Sequence, residues 1–446
     1  MKNFVLKKTF FSNRFNLIEK RKNLYARKLD NNTISKIQLE RFNKIWYRSF
    51  SKIDFYDYWK KKFKLPSQIY SIDQLKDFPH LRKKDLIENQ DILFNQFSKK
   101  KFISTGGSTG EPTKFPSSQK DFLSIYADAF MVRSWWNIEP FDKMVSFWGH
   151  SHLFGDGILG KFNEFKRKLK DYIVNIERLN AYDVHSDTIK EYYYKVKKIK
   201  PLIISGYTSC IAKLAMFILE NNLEGTVSSR LRVVIPTSET VSLNDKINIQ
   251  KAFKVPVAIE YGMAETGIIA HSSNVDNHLL VLWNSFLCNI SNDNTLLVNT
   301  LDDLKLFPLI NYYTEDKIEV SSNKNNSILS IKNILGRKQE EFKLLTNNNQ
   351  YINVTGILIV HILKNYRSIY SVQAKQVGKN NIKIYLTSSK KLNLFEVKEY
   401  FLKQIYKDHP NVDSTSVDII QSKSSQKSLS GKEKILWEDK IYNKNF

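Results

Sequence analysis

Between Ile34 and Ile53, apolar residues recur at Ile34, Ile37, Phe42, Ile45, Trp46, Phe50 and Ile53, with basic residues between them. That spacing follows the helical turn and predicts an amphipathic helix. Its apolar stripe can face a protein core or, given the basic flanks, lie on a membrane surface. The core is the commoner destination. From about Lys143 the pattern changes. Short apolar runs (MVSFWG, PLIIS, LRVVIP, VAIEY) alternate with helical stretches over Thr208–Asn221 and Leu243–Lys254. Strand, helix, strand in that order predicts parallel βαβ units.

After Ser272 the chain becomes richer in strands, with NTLLVNTL, KIEV and SILSIKNIL. Leu335-Gly336-Arg337 reads as a turn. Beyond it come a hairpin around Val377-Gly378-Lys379-Asn380-Asn381, a helix over LFEVKEYFLKQIYK and a strand in STSVDII. The polar run QSKSSQKSLSGKEK then reads as a mobile loop. The expected fold is α/β. A large N-terminal domain, residues 1–335, has parallel-strand subdomains, and a small mobile α+β C-terminal domain spans 336–446.

The length of 446 residues suits more than one core. Apolar residues at 42% and charged residues at 26% describe a globular chain rather than a disordered one. Cys210 and Cys288 form no CxxC or metal-spaced cluster, so no zinc site or disulfide framework is expected. This fits a reducing compartment, the cytoplasm. Leu202–Leu219, the most apolar stretch, is interrupted by Ser205, Gly206, Thr208, Ser209 and Lys213, so no transmembrane segment is expected. The N-terminus lacks a clean apolar core and cleavage site for a secretory signal. A net charge of +24 raises nucleic acid or an anionic membrane as partners. The basic residues are spread along the whole chain and no nucleic-acid module is recognisable. An anionic substrate, and no specific nucleic-acid partner, is the expectation.

The most informative segment is Ser104-Thr105-Gly106-Gly107-Ser108-Thr109-Gly110-Glu111-Pro112-Thr113-Lys114. Its glycines let backbone N–H groups approach phosphates, its hydroxyls add donors and Lys114 adds a charge. It does not fit the Walker A spacing. A second segment, Phe147-Trp148-Gly149-His150-Ser151-His152-Leu153-Phe154-Gly155-Asp156-Gly157, alternates two histidines that would share one face of a strand. They could be metal ligands, but no third ligand accompanies them.

The Gly/Ser/Thr segment resembles the phosphate loop of the adenylate-forming superfamily. The chain as a whole is similar to the phenylacetate–CoA ligase branch, which includes the CapK-like capsule-biosynthesis proteins. Tyr261-Gly262-Met263-Ala264-Glu265-Thr266-Gly267 resembles the YGxTE motif, and Pro308–Asp316 (PLINYYTED) resembles PLIRYRTGD. Gly336-Arg337 stands at the interdomain GR position and Gly431-Lys432 at the C-terminal GK. The motifs follow the family order over about residues 35–440.

The resemblance implies ATP-dependent activation of a small carboxylic acid, with Mg²⁺ and, in a second step, CoA, a carrier thiol or a sugar amine as acceptor. Ser104, Thr105, Gly106, Gly107, Ser108, Thr109, Gly110 and Lys114 would hold phosphates, and Glu265 would help ligate Mg²⁺. Tyr261 and Gly262 would lie by adenine, bordered by Ser238 and Glu239. Asp316 would hold the ribose and Arg337 the ribose or a phosphate. Thr266 would stand in for the motif threonine that Ala264 replaces, and Lys432 would bridge the carboxylate and the α-phosphate. His150, His152, Phe154 and Gly155 resemble the acyl-binding stretch. Asn311, Tyr313 and Glu315 depart from the Arg, Arg and Gly of RYRTGD. His271-Ser272 lies near the place where some relatives carry zinc cysteines. The altered hinge and closure motifs leave one alternative: a degenerate ligase fold that binds nucleotide or a partner without catalysis.

Overall fold

In the computed structural model the described residues are 12–104, 113–148, 157–181, 186–274, 278–320, 327–337, 340–366, 368–378, 381–388, 390–408, 410–427 and 433–437. The described residues begin with helices α1 (Ser12–Ala26), α2 (Asn31–Lys52), α3 (Asp54–Lys62), α4 (Lys83–Glu88) and α5 (Gln90–Gln96). Strands β1 (Lys101–Ser104) and β2 (Lys114–Ser117) precede helix α6 (Gln119–Ser134). Then come β3 (Met144–Phe147), α7 (Gly157–Ile173), β4 (Ile176–Leu179), α8 (Ser186–Ile199), β5 (Ile203–Tyr207) and α9 (Thr208–Glu220). They are followed by β6 (Val233–Thr237), α10 (Leu243–Phe253), β7 (Glu260–Met263), β8 (Gly267–Ser272) and β9 (Leu279–Val281). Strands β10 (Phe286–Ile290), β11 (Thr295–Thr300), β12 (Tyr312–Val320), β13 (Ser330–Arg337), β14 (Glu341–Leu345) and β15 (Tyr351–Thr355) continue the chain. Helix α11 (Gly356–Lys364), β16 (Ile369–Val377), β17 (Asn381–Ser388), α12 (Leu394–Asp408) and β18 (Val417–Gln421) complete it.

These elements fall into two compact units. Unit 1 comprises Met1–Asp142 and Ala258–Ile334, and unit 2 comprises Lys143–Val257 and Leu335–Phe446. The chain passes between the units three times, after Asp142, after Val257 and after Ile334.

Unit 1 is built on a sheet ordered β10-β11-β12-β13-β9-β8-β7. The β10–β11, β11–β12 and β7–β8 pairs are antiparallel. Helix α2 is the amphipathic helix that the Ile34–Ile53 pattern predicts. It buries Ile34, Phe42, Ile45 and Trp46, so the core takes the stripe. Asp30 caps its N-terminus by accepting from the amides of Asn32 and Thr33, orphan donors at any helix start. Trp46 satisfies its indole N–H on the Pro66 carbonyl at 2.8 Å. On α1, Arg21 is buried between Asp128 of α6 and Asp302, an ionic seam inside the unit.

Unit 2 contains the βαβ units. Its parallel sheet is ordered β4-β3-β5-β6, each pair in parallel register. MVSFWG, PLIIS and LRVVIP supply β3, β5 and β6, as their patterns predict. VAIEY differs. Only Val257 bridges to Val234 in parallel, and the regular strand, β7, begins at Glu260 in the sheet of unit 1. Unit 2 also holds the antiparallel pair β14–β15 and a sheet ordered β16-β17-β18, with the expected hairpin pairing Val377 with Asn381 and β18 parallel to β17. Lys364, buried on α11, reaches Asp245 of α10 at 2.9 Å and joins this part to the parallel-sheet part. Among the described residues no helix is long and apolar enough to cross a membrane.

Candidate functional site

The YGMAETG motif occupies β7, the turn after it and the start of β8, with Met263 opposite Gly267. The turn is tight. A Cβ on Gly262 would lie 2.1 Å from the Gly267 carbonyl oxygen, and Gly267 has φ +81°, so both positions call for glycine. Thr266 is buried, and its hydroxyl donates to the Gly267 carbonyl at 2.9 Å and accepts from the Met263 amide at 3.2 Å. It staples the turn. Lys305, also buried, donates to the Thr266 carbonyl at 2.9 Å. Burial holds this ammonium below the usual lysine range despite the acids around it, Asp121 nearest in effect.

Two hydrogen bonds tie this motif to β12. The Tyr261 hydroxyl donates to Asp316 Oδ2 at 2.8 Å, both side chains being buried. The Tyr312 hydroxyl donates to Glu265 Oε1 at 2.9 Å. Burial, and then the charge of Glu265, push the Tyr312 phenol well above its ordinary pKa, so it stays protonated and remains a donor. Glu265 itself is half-buried. It borders a cavity of about 290 Å³ lined also by Phe115, Asp121 and Lys305. Phe115 belongs to the β1–β2 hairpin, in which Ser104 is paired with Lys114. Lys114 on β2 is exposed.

The departures from RYRTGD have structural explanations. Asn311 is buried and donates through Nδ2 to the Phe78 carbonyl at 2.8 Å, pinning the chain before α4 to the sheet. Tyr313 donates to Asp293 Oδ2 at 2.7 Å and stacks on His80, with the Arg82 guanidinium 4.2 Å from its ring centroid. Glu315 holds φ +67° where the family has glycine, and lies 3.8 Å from Lys83.

In unit 2, Ser238 follows β6 with φ +69°. Glu239 accepts from the Ser209 amide at 2.7 Å, at the first turn of α9, and from the Glu433 amide at 2.7 Å. Its carboxylate thus caps α9 and holds the residue that follows Lys432 in the chain. Burial, reinforced by the Glu433 carboxylate, raises its pKa above the usual range. Arg337 ends β13, half-buried, next to Gly336 with φ +100°.

The structure thus gathers Tyr261, Gly262, Glu265, Thr266 and Asp316 within unit 1, and Ser238 and Glu239 within unit 2. Thr105, Gly106, Gly107, Ser108, Thr109, Gly110, His150, His152, Phe154, Gly155 and Lys432 lie outside the described residues, as does the side chain of Ser104. Among the described residues no group of three His, Cys, Asp or Glu side chains is placed to hold a metal, and Cys210 and Cys288 are buried free thiols. Sequence reasoning assigned nothing to Tyr312 and Lys305. Tyr312 lay inside a quoted motif. Lys305 is one of 69 Lys and Arg residues and carried no signal.

No protein-family model matches the sequence. Protein CapK of Staphylococcus aureus is 26% identical over 402 residues, 88% of this chain and 87% of CapK. Among solved structures, 2-hydroxyisobutyryl-CoA ligase, in the postadenylation state with 2-HIB-AMP, superposes with a TM-score of 0.71. Identity there is 14%, with 92% of this chain and 91% of that one covered. The chain has the adenylate-forming ligase fold. An ATP-bound RpMatB–BxBclM chimera shares this ligase fold more distantly, at a TM-score of 0.51 and 11% identity over 74% of this chain and 66% of that one.

Proposed function

We propose that the chain uses ATP to activate a carboxylic acid, forming an acyl-adenylate and releasing pyrophosphate. The observation that carries this reading is the double link in unit 1, Tyr261 to Asp316 and Tyr312 to Glu265. It joins the YGMAETG and PLINYYTED segments, each acid oriented by a phenol. In the reaction a carboxylate oxygen forms a bond to the α-phosphorus while the bond to the β-phosphate bridging oxygen breaks. Pyrophosphate leaves with the electron pair, and no proton need move.

The side chains divide the work by chemistry. Tyr261 offers its ring to adenine while its hydroxyl fixes Asp316 to accept from the ribose hydroxyls. Ser104 to Gly110, with Lys114, receive the β- and γ-phosphates. Ser238 and Glu239 border the base, Thr266 shapes the turn near the α-phosphate, and Arg337 meets the ribose or a phosphate. Lys432 joins the carboxylate to the α-phosphate when residues 336–446 act as a lid. Glu265 fits Mg²⁺, a hard ion that takes one or two carboxylates together with phosphate oxygens. When bound, the ion supplies neutralisation of the phosphate charge. His150, His152, Phe154 and Gly155 line the acyl pocket. The acceptor is CoA, a carrier thiol or a sugar amine. The activity would serve surface-polysaccharide biosynthesis, a reading prompted by the likeness to CapK, and would sit in the cytoplasm, which suits two buried free thiols.

The test is acid-dependent hydroxamate formation, with hydroxylamine trapping the activated acyl group over a panel of aromatic, fatty, amino and sugar acids. One class of acid giving hydroxamate and AMP together supports the proposal. Tight ATP binding with no hydroxamate from any acid would favour a non-catalytic nucleotide-binding protein on the same fold.

A further inference from the structure

Helix α7 in unit 2 is turned inside out. Its residues Phe162, Phe165, Leu169, Tyr172 and Ile173 are exposed by 36–71%. At about 100° per residue, these five fall within an arc of roughly 100°, a single continuous stripe. The opposite face looks inward and is ionic. Asp171 is buried, accepting from Arg178 of β4 at 2.7 Å and lying 3.7 Å from Arg167. The ion pair holds the helix to its own unit by the polar side, so the apolar side is left outward by construction.

Rows of lysine flank the stripe. Lys166 and Lys170 lie along one edge, Lys161 and Lys168 along the other, and all four are exposed. Lys166 rests 4.2 Å from the Phe162 ring centroid, its stem along the aromatic surface. The helix carries Lys161, Lys166, Arg167, Lys168 and Lys170 against Glu164 and Asp171, within a chain of net charge +24.

We propose that α7 seats the protein on an anionic lipid bilayer, its aromatic and aliphatic stripe sunk below the headgroups and its lysine rows on the headgroup phosphates. The pattern matches a helix lying in the interface plane: a bulky apolar face, basic edges and too few apolar residues to span. A symmetric contact between two copies would set the same lysine rows against each other, which opposes that occupant. The inference is independent of the adenylation reading.

Flotation of the full chain with phosphatidylcholine vesicles, with and without about 30% phosphatidylglycerol, tests it. Wild-type protein is expected on the anionic vesicles, released by salt, and absent from the neutral ones. Phe165→Ser with Leu169→Ser leaves the charge unchanged and is expected to weaken binding by about tenfold or more. Lys166→Glu with Lys170→Glu is expected to flatten the salt dependence. Circular dichroism confirms that each variant is folded. Three results would overturn the proposal: no binding by the wild type, equal binding to neutral vesicles, or undiminished binding by the serine pair. A concentration-dependent dimer abolished by the serine pair would also overturn it, by assigning the stripe to a second copy.

Discussion

Helices α2 and α7 carry the same kind of sequence, apolar residues at helical spacing with basic residues between, and the fold treats them in opposite ways. In α2 the stripe is buried, and Gln38, buried with it, donates through Nε2 to the carbonyls of Trp283 and Phe286. In α7 the ionic side is buried and the stripe faces out. Periodicity states that a helix has two faces. It does not state which one meets the protein. That choice is made by what the neighbouring elements offer: for α2 an apolar cluster containing Phe78 and Leu287, for α7 the guanidinium of Arg178.

The largest effect expected from this contrast is in α2. Trp46→Ala should cost about 3–5 kcal/mol, since a fully buried indole leaves a cavity and an orphaned Pro66 carbonyl. Urea denaturation of unit 1, followed by tryptophan fluorescence, checks it. A smaller loss is expected at Tyr312→Phe, roughly 1–3 kcal/mol, because a hydrogen bond to a carboxylate is removed from a buried phenol. The more telling readout there is a rise in the magnesium concentration needed for activity, at unchanged ATP affinity. A Tyr312→Phe variant with a wild-type magnesium titration would mean that Glu265 needs no orienting.

Below these lies a pH effect. His271 is fully buried and burial lowers its pKa from the ordinary 6.5, so the folded chain keeps the ring neutral where the unfolded chain protonates it. The unfolded state then binds more protons, and stability present above about pH 6.5 falls as the pH drops below it, by about 1.4 kcal/mol per unit at most. His80 and His361 shift in the same direction, so His271→Asn should shallow the acid slope rather than abolish it. The urea midpoint at several pH values measures this. Least of all, Phe165→Ser with Leu169→Ser on α7 should change stability by no more than about 0.5 kcal/mol, as exposed positions do. A loss comparable to that of Trp46→Ala would erase the contrast between the helices.

The same contrast marks how far the sequence could be read. Tyr261, Glu265 and Asp316 sit in two strings that stand out in the sequence, and the structure links those strings within unit 1. The strands β3, β5 and β6 were equally plain, because parallel strands buried on both faces read as unbroken apolar runs. VAIEY misled for the same reason: its apolar run names burial, not the sheet it joins. Tyr312 and Lys305 gain their meaning from partners 47 and 39 residues away, which no local pattern records. Asn311 and Tyr313, which read as losses from a nucleotide motif, are interior fasteners to Phe78 and Asp293.

The most direct measurement is carboxylate-dependent exchange of labelled pyrophosphate into ATP, with Lys432→Ala and Asp316→Asn beside the wild type. Adenylation predicts exchange with one class of acid, abolished in the first variant and weakened through ATP binding in the second. Exchange that needs no acid, or that survives Lys432→Ala at full rate, would contradict it.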